Sequence, residues 1–236
     1  LKKNNLIIYM SELFYTARNL VVSNGFVRNP ERYYLEEFYK RRPALNADLS
    51  PTSADDGNDG ATAAQIATMM AANTDFEALG TNATSSSVAF SSTRAGINLT
   101  TGTAGTDQVI ILPHLDTNQS AWTNIKFGTE NQVEWECAVS VADIANVCFW
   151  TGLKETNTPV LITDANQAYF FFDTGTVVGS ATSKTTLHFC YSVANTDYVT
   201  DLGITAEADI IYRLRIVIDN NRKVSVFVNE VQYGLT

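Results

Sequence analysis

YRLRIVIDNNRKVSVFVNEV, residues 212–231, is the stretch that decides the fold. In its first arm Leu214 and Ile216 alternate with Arg213 and Arg215, and in the second arm three valines alternate with other residues. Alternation with a period of two on both sides of a polar Asp-Asn-Asn turn predicts an antiparallel hairpin with one face in a core.

The same pattern of short apolar segments and polar turns continues through the last two thirds of the chain. Residues 133–141 are the clearest half-buried strand, because Trp135, Cys137 and Val139 alternate with Glu134 and Glu136. Residues 147–150 and 169–172 lack alternation, which predicts strands covered on both faces. Many short strands with little helix between them predict an antiparallel β-sandwich. The predicted strands are 86–93, 96–101, 108–113, 122–127, 132–142, 147–152, 167–173, 186–194, 198–202, 210–219 and 223–231.

The N-terminal third has a different composition and predicts three regions. Residues 1–42 are predicted as a helical N-terminal segment, residues 43–80 as a polar linker with one short helix, and residues 81–236 as the sandwich. In the second predicted helix Tyr34 and Phe38 form an aromatic stripe, and Arg41 and Arg42 follow at its C-terminal end. The stripe either packs on the body of the protein or docks on a partner subunit, which makes these four residues candidates for partner contact.

The charge distribution is uneven. Residues 1–50 carry eight Lys/Arg against five Asp/Glu, whereas residues 51–236 carry eight Lys/Arg against twenty Asp/Glu. The net charge of −9 is therefore the sum of a basic N-terminal part and an acidic remainder. An acidic body repels phosphate, so general nucleic-acid binding is not expected. No apolar run approaches the roughly 20 residues of a membrane span, so no membrane association is expected. Three cysteines, an odd number among apolar neighbours, predict buried free thiols rather than disulfides.

The sequence offers little catalytic chemistry. Glu134 and Glu136 begin the alternating pattern of acids found on the catalytic strand of some glycoside hydrolases, but the next position on that face is Ala138. The two histidines, His114 and His188, have no nucleophile motif around them, so a structural role is the better interpretation. The sequence therefore predicts no catalytic residue and a protein that is not an enzyme.

Two kinds of binding site are conceivable from the sequence. Asp164, Asn166 and Asp173 could supply oxygen ligands to calcium, although these residues serve a turn equally well. The sequence therefore predicts that no cofactor is required, with calcium as the alternative. A carbohydrate site needs exposed aromatic rings near amides or acids, and Trp122 and Tyr198 are the candidates.

The order of strands resembles a known family. An alternating strand (133–141) is followed by Cys-Phe-Trp-Thr-Gly (148–152), Asp-Ala-Asn-Gln-Ala-Tyr-Phe-Phe-Phe-Asp (164–173), Tyr-Val-Thr-Asp-Leu-Gly (198–203) and the closing hairpin. This order is similar to the concanavalin A-like lectin and glucanase jelly roll, in the version found in structural proteins of tailed bacteriophages, especially marine ones. The resemblance covers residues 76–236.

The resemblance implies a jelly roll and a role in the virion, as a capsid decoration, a head fibre or a tail-associated surface protein. Its implied partners are a capsid or other virion protein and further copies of the chain, with the N-terminal segment as the attachment part. The alternative is a lectin-like host-surface adhesin that binds host glycans, and a glycoside hydrolase is the third reading. Glu230 stands where the family pattern usually has glycine, which argues against a tight two-residue turn there. The family's final strands would follow Gly234, so the expectation is a sandwich that is incomplete, continued in further residues, or completed by a neighbouring chain.

Overall fold

The computed structural model describes residues 5–9, 42–45, 73–93, 96–113, 133–145, 147–154, 164–174, 185–219 and 221–235. These residues form fourteen strands and one short 3-10 helix, Ser85–Ser87. The strands are β1 Asn5–Tyr9, β2 Pro43–Leu45, β3 Asn73–Leu79, β4 Val88–Phe90, β5 Ile97–Thr100, β6 Ile110–Pro113, β7 Val133–Val141, β8 Cys148–Leu153, β9 Gln167–Asp173, β10 Thr186–Val193, β11 Thr196–Thr205, β12 Tyr212–Ile218, β13 Val224–Val228 and β14 Val231–Tyr233.

The strands make three sheets. The largest has seven strands in the order β14-β13-β12-β7-β1-β5-β4, the second has the order β11-β10-β9-β8, and the third has the order β2-β3-β6. Every pairing among the described strands is antiparallel except that of β2 with β3. The predicted mainly β, antiparallel fold is therefore confirmed.

One hydrophobic core joins the seven-stranded sheet to the four-stranded sheet. The alternation seen in the sequence decides which side chains enter it, because successive residues of a strand point to opposite faces. The seven-stranded sheet contributes a set of small and branched side chains, and the four-stranded sheet contributes most of the aromatic rings. The buried members are Val139, Leu214, Ile216, Val226 and Val228 from the first sheet and Phe149, Ala168, Phe170, Phe172, Leu187, Phe189 and Leu202 from the second.

Strand β9 is buried on both faces. All seven of its residues are buried, and while Phe170 and Phe172 enter the core between the sheets, Tyr169 and Phe171 form a second cluster with Cys190 on the opposite face. This arrangement confirms the prediction that the non-alternating run 169–172 is covered on both sides. We call the face that carries Tyr169 and Phe171 the outer face of the four-stranded sheet.

The described N-terminal segments differ from the prediction. Residues 5–9, expected within a helical segment, form strand β1 in the seven-stranded sheet, and residues 43–45 and 73–79, expected within a linker, form β2 and β3. A short apolar run such as Leu6-Ile7-Ile8 has no periodicity that distinguishes a buried strand from a helix. Its strand conformation is therefore determined by pairing with distant strands. The predicted helices lie outside the described residues, at 11–41 and at 62–72 of the linker, and so does the strand predicted at 122–127; residue 73 begins β3.

Two hairpins close through tight turns without glycine, β10–β11 at Ala194 and Asn195 (φ 50° and 64°) and β13–β14 at Asn229 and Glu230. Asn229 and Glu230 have φ angles of 50° and 68° between the paired residues Val228 and Val231, which is the type I′ geometry. The expectation that Glu230 would prevent a tight turn is therefore wrong. Asn229 supplies the reason, since its backbone N–H donates to the Arg213 carbonyl (2.8 Å) and its side-chain oxygen accepts from the Arg213 N–H (2.9 Å).

All three cysteines are free, as predicted, but only Cys190 is buried. Cys137 is half-buried, and Cys148 is exposed, contrary to the prediction, because it begins β8 at the edge of the four-stranded sheet. Burial raises the pKa of Cys137 and of Cys190 to about 12, so both thiols are protonated at neutral pH.

Three glycines provide a test of the described backbone. Gly152 has φ +146°, and a Cβ there would lie 2.5 Å from the Ala168 carbonyl oxygen; Gly203 has φ +67° in open space; Gly105 is also in open space, without a positive φ. We expect Gly152→Ala to destabilise the protein by about 3 kcal/mol, from clash and strain together, Gly203→Ala by about 1 kcal/mol, and Gly105→Ala hardly at all. Urea unfolding of the three variants measures this order. Equal stabilities for Gly152→Ala and Gly105→Ala would contradict the described β8–β9 pairing.

Candidate functional site

A row of polar side chains crosses the outer face of the four-stranded sheet at one end. It consists of Lys154, Gln167, Ser192 and Asp197, one from or next to each of the four strands, and the register places Gln167 opposite Ser192 and Ser192 opposite Asp197. Lys154 donates to Gln167 Oε1, Gln167 Nε2 donates to Ser192 Oγ (2.7 Å), and Ser192 Oγ donates to Asp197 Oδ1 (2.7 Å). We call these four residues the polar row.

A buried ion pair begins the row. Lys154 Nζ lies 3.1 Å from Asp164 Oδ2, and the two side chains are 2% and 0% exposed. The ammonium group also lies 4.4 Å from the centre of the Tyr169 ring, a cation–π distance. Asp164, Gln167 and the Tyr169 ring thus replace water around the ammonium, which makes its burial tolerable.

The polar row mainly holds the strands of the four-stranded sheet together. Its hydrogen bonds run from the buried ammonium group to Asp197, an exposed residue of the edge strand β11, and so join all four strands. Chains of hydrogen bonds in a low-dielectric interior strengthen one another, so the row fixes the relative positions of the strands. No motif in the sequence indicates this row, because its members come from four different strands or strand ends and only the register brings them together.

The three residues proposed for calcium do not form one site. Asp164 pairs with Lys154, and Asn166 Oδ1 accepts the N–H of Ala194 (3.2 Å) in the β10–β11 turn. Asp173 lies at the other end of β9, roughly 20 Å away at about 3.3 Å per strand residue. Among the described residues, no group of three or more His, Cys, Asp or Glu side chains could hold a metal ion. The structure therefore does not bring these three residues together.

Tyr198, the carbohydrate candidate that the structure describes, lies at the exposed end of an aromatic series. Its ring stacks on Tyr191 at 4.6 Å and 11°, and Tyr191 stacks in turn on Phe189 at 5.9 Å. Tyr198 is 40% exposed, whereas Phe189 is fully buried in the core. The stacking fixes the orientation of an aromatic surface at the edge strand β11, on the face opposite to that of the Asp197 side chain.

The other sequence candidates are only partly described. Trp122, Tyr34, Phe38 and Arg41 lie outside the described residues. Arg42 is half-buried and donates a hydrogen bond to the carbonyl of Val88, which ties the residue before β2 to β4. This bond is a contact within the chain.

The two glutamates of β7 lie on the face of the seven-stranded sheet that points away from the core. Glu134 Oε1 lies 3.0 Å from Arg215 Nη1, and the guanidinium group of Arg215 stacks on the Phe227 ring at 4.1 Å. Desolvation, with a smaller contribution from Glu230, raises the pKa of Glu136. The ion pair explains why these charged residues alternate on β7 and β12 without any reference to catalysis.

His188, for which the sequence favours a structural role, is hydrogen-bonded through one of its two ring nitrogens. The ring is buried, and its Nδ1 lies 2.9 Å from the Thr186 carbonyl, but within the described part of the chain its Nε2 has no hydrogen-bond partner. The bond at Nδ1 favours the tautomer with its proton on that nitrogen, since a carbonyl can only accept.

Comparison with protein-family models, with curated proteins and with solved structures finds no match. The concanavalin-like kinship therefore remains an expectation from the sequence pattern. No helix among the described residues has the length and apolarity that crossing a membrane requires.

The buried ion pair gives a direct test of the site. Asp164→Asn leaves the Lys154 ammonium group buried without its counter-charge, so we expect a loss of about 3–5 kcal/mol of unfolding free energy. The matched control is Glu134→Gln, which breaks the surface pair with Arg215 and should cost less than about 1 kcal/mol. Chemical denaturation measures both variants. Similar losses for the two would show that water screens the Lys154–Asp164 pair.

Proposed function

We propose that this protein is a non-enzymatic virion surface protein of a tailed phage, built on a concanavalin-like jelly roll. The observation that carries the proposal is the strand order of residues 133–231, which resembles that of phage structural proteins. In this proposal the chain is a capsid decoration, head fibre or tail-associated protein, present in many copies and attached through its N-terminal part to a capsid or other virion protein.

The contacts of the acidic residues support a structural role. Among the candidate functional acids, Asp164 pairs with a buried lysine and Glu134 with a surface arginine, and Asp197 accepts from Ser192. Each carboxylate thus stabilises the pairing of strands. Two layers around one aromatic core also suit a protein that must survive outside a cell, since core burial is the main source of stability.

Particles provide the test of this proposal. We expect peptides of this chain to band with the major capsid protein when phage particles that encode it are purified by density gradient, and to remain after a high-salt wash. A gold-labelled antibody against the purified protein should then mark heads or tails in electron micrographs. Recovery of the peptides only from the soluble lysate, with unlabelled particles, would refute the virion assignment.

A specific observation favours carbohydrate binding as the second candidate. Exposed aromatic rings held in a fixed orientation form the flat surfaces on which sugar rings stack, and Tyr198 meets this requirement through Tyr191. Such a protein would be an adhesin for host glycans, a role compatible with a position on the virion surface.

A glycan array with matched variants tests this second function. We expect Tyr198→Ala to weaken glycan binding at least tenfold, because the stacking surface is lost. Phe90→Ala is the control, since Phe90 is another exposed aromatic residue (46%) on β4 of the other sheet. Two results would exclude Tyr198 as a carbohydrate-binding residue. One is that the wild type binds no glycan at millimolar concentration, and the other is that both variants lose binding equally.

A further inference from the structure

Strand β1 joins the two parts of the seven-stranded sheet. It pairs with β7 on one side and with β5 on the other, and residue 7 lies opposite both Ser140 and Asn98. No hairpin connects β1 to either neighbour, since β5 begins at residue 97 and β7 at residue 133. The strand thus enters a slot between β5 and β7, which we call the β1 slot, as a separate segment of chain.

The β1 slot needs an occupant. The flanking residues Ile97 and Leu99 on β5 and Val139 and Ser140 on β7 are buried to 2% exposure or less. If the slot were empty, the backbone N–H and C=O groups of two interior strands would lose their partners, which is costly in a buried region. A copy of the protein whose own β1 has left therefore needs another strand in its place.

The slot is also a weak point of the sheet. The side-chain oxygens Asn98 Oδ1 and Ser140 Oγ are buried and have no hydrogen-bond partner among the residues that the structure describes, and both residues lie opposite residue 7. Buried polar atoms without partners reduce stability. Local opening at β1 therefore requires less free energy than opening where the polar groups are paired, as in the polar row.

We propose that the β1 slot accepts β1 of a second copy, so that neighbouring copies become linked by strand exchange. Every pairing of β1 is the same in both arrangements, so only the availability of the strand decides between them. Because β1 is covalently part of the same chain, it meets its own slot at roughly millimolar effective concentration. Copies crowded on a particle surface offer their strands at a comparable concentration, and in this respect the inference rests on the proposed function.

Peptide uptake by the full-length protein tests whether the slot opens. A fluorescent synthetic peptide of residues 1–10 is incubated with the purified protein, which is then separated by gel filtration. We expect saturable uptake of one peptide per chain, competed by unlabelled peptide. A scrambled peptide and a peptide with Ile7→Pro, which removes a backbone donor from a central strand, are the controls and should not bind. No uptake, or equal uptake of the scrambled peptide, would overturn the proposal.

A cross-chain disulfide tests exchange between copies. Ile7→Cys and Ser140→Cys are prepared in separate chains, both carrying Cys148→Ser to remove the exposed thiol, then mixed at high concentration and oxidised. Directly opposed residues on antiparallel strands lie close enough for a disulfide. We expect mass spectrometry to identify a link between residues 7 and 140 of different chains. The double variant in one chain is the control for disulfide formation within a copy.

The outcomes separate the two proposals. A cross-chain link between residues 7 and 140 supports exchange, whereas peptide uptake without such a link overturns it, because the slot then opens but does not take the strand of another copy. These measurements use purified protein, so a negative result would not bear on the virion assignment, which the particle experiment tests separately. Absence from particles would likewise leave an observed exchange in solution intact.

Discussion

Burial of β9 on both faces is the constraint on which the rest of the described structure depends. A strand in this position needs one layer of side chains on each side, and the sequence supplies different chemistry for the two. Phe170 and Phe172 enter the core between the sheets, while Gln167, Tyr169 and Phe171 lie on the outer face. The first face is satisfied by apolar packing alone, but the second buries polar atoms and must also pair them.

The polar row answers this requirement. Its hydrogen bonds extend from the Lys154–Asp164 pair through Gln167 and Ser192 to the edge strand, so that a desolvated cation is balanced and the four strands are kept in register. The contrast with Glu134 and Arg215 is informative. That pair has a similar separation, 3.0 Å against 3.1 Å, but it lies at the surface, where water screens the attraction. The environment, rather than the distance, decides how much each pair contributes.

The N-terminal strand gives the fold its long-range character. Because β1 bridges β5 and β7, the seven-stranded sheet is complete only when a segment near residue 5 has met partners near residues 97 and 139. Contacts of such sequence separation are slow to form. Because no tight turn ties β1 to its neighbours, β1 of the same chain or of another chain can make the same pairings in the slot. This property of the topology underlies the proposed assembly of copies. The N-terminal part would then serve both the fold and the attachment to a virion.

The sequence by itself determined the mainly β class, most strand positions and the inward faces of β7, β12 and β13. Alternation with a period of two is a local property, so Leu214, Ile216 and Val226 were identified as core residues without knowledge of their partners. The free thiols also followed from composition. These features need only neighbouring residues or simple counts.

Only the tertiary structure decided which strands pair, and with them the candidate site. Lys154, Gln167, Ser192 and Asp197 carry no common motif. Asp173 looks like a companion of Asp164 in the sequence, but β9 lies between them, with Asp164 before its start and Asp173 at its end. Residues 5–9 became a strand because β5 and β7 offered unpaired backbone on both sides, a requirement that no local pattern expresses. The physical reason is the same in each case: hydrogen bonding between strands depends on register, and register is set by contacts between distant parts of the chain.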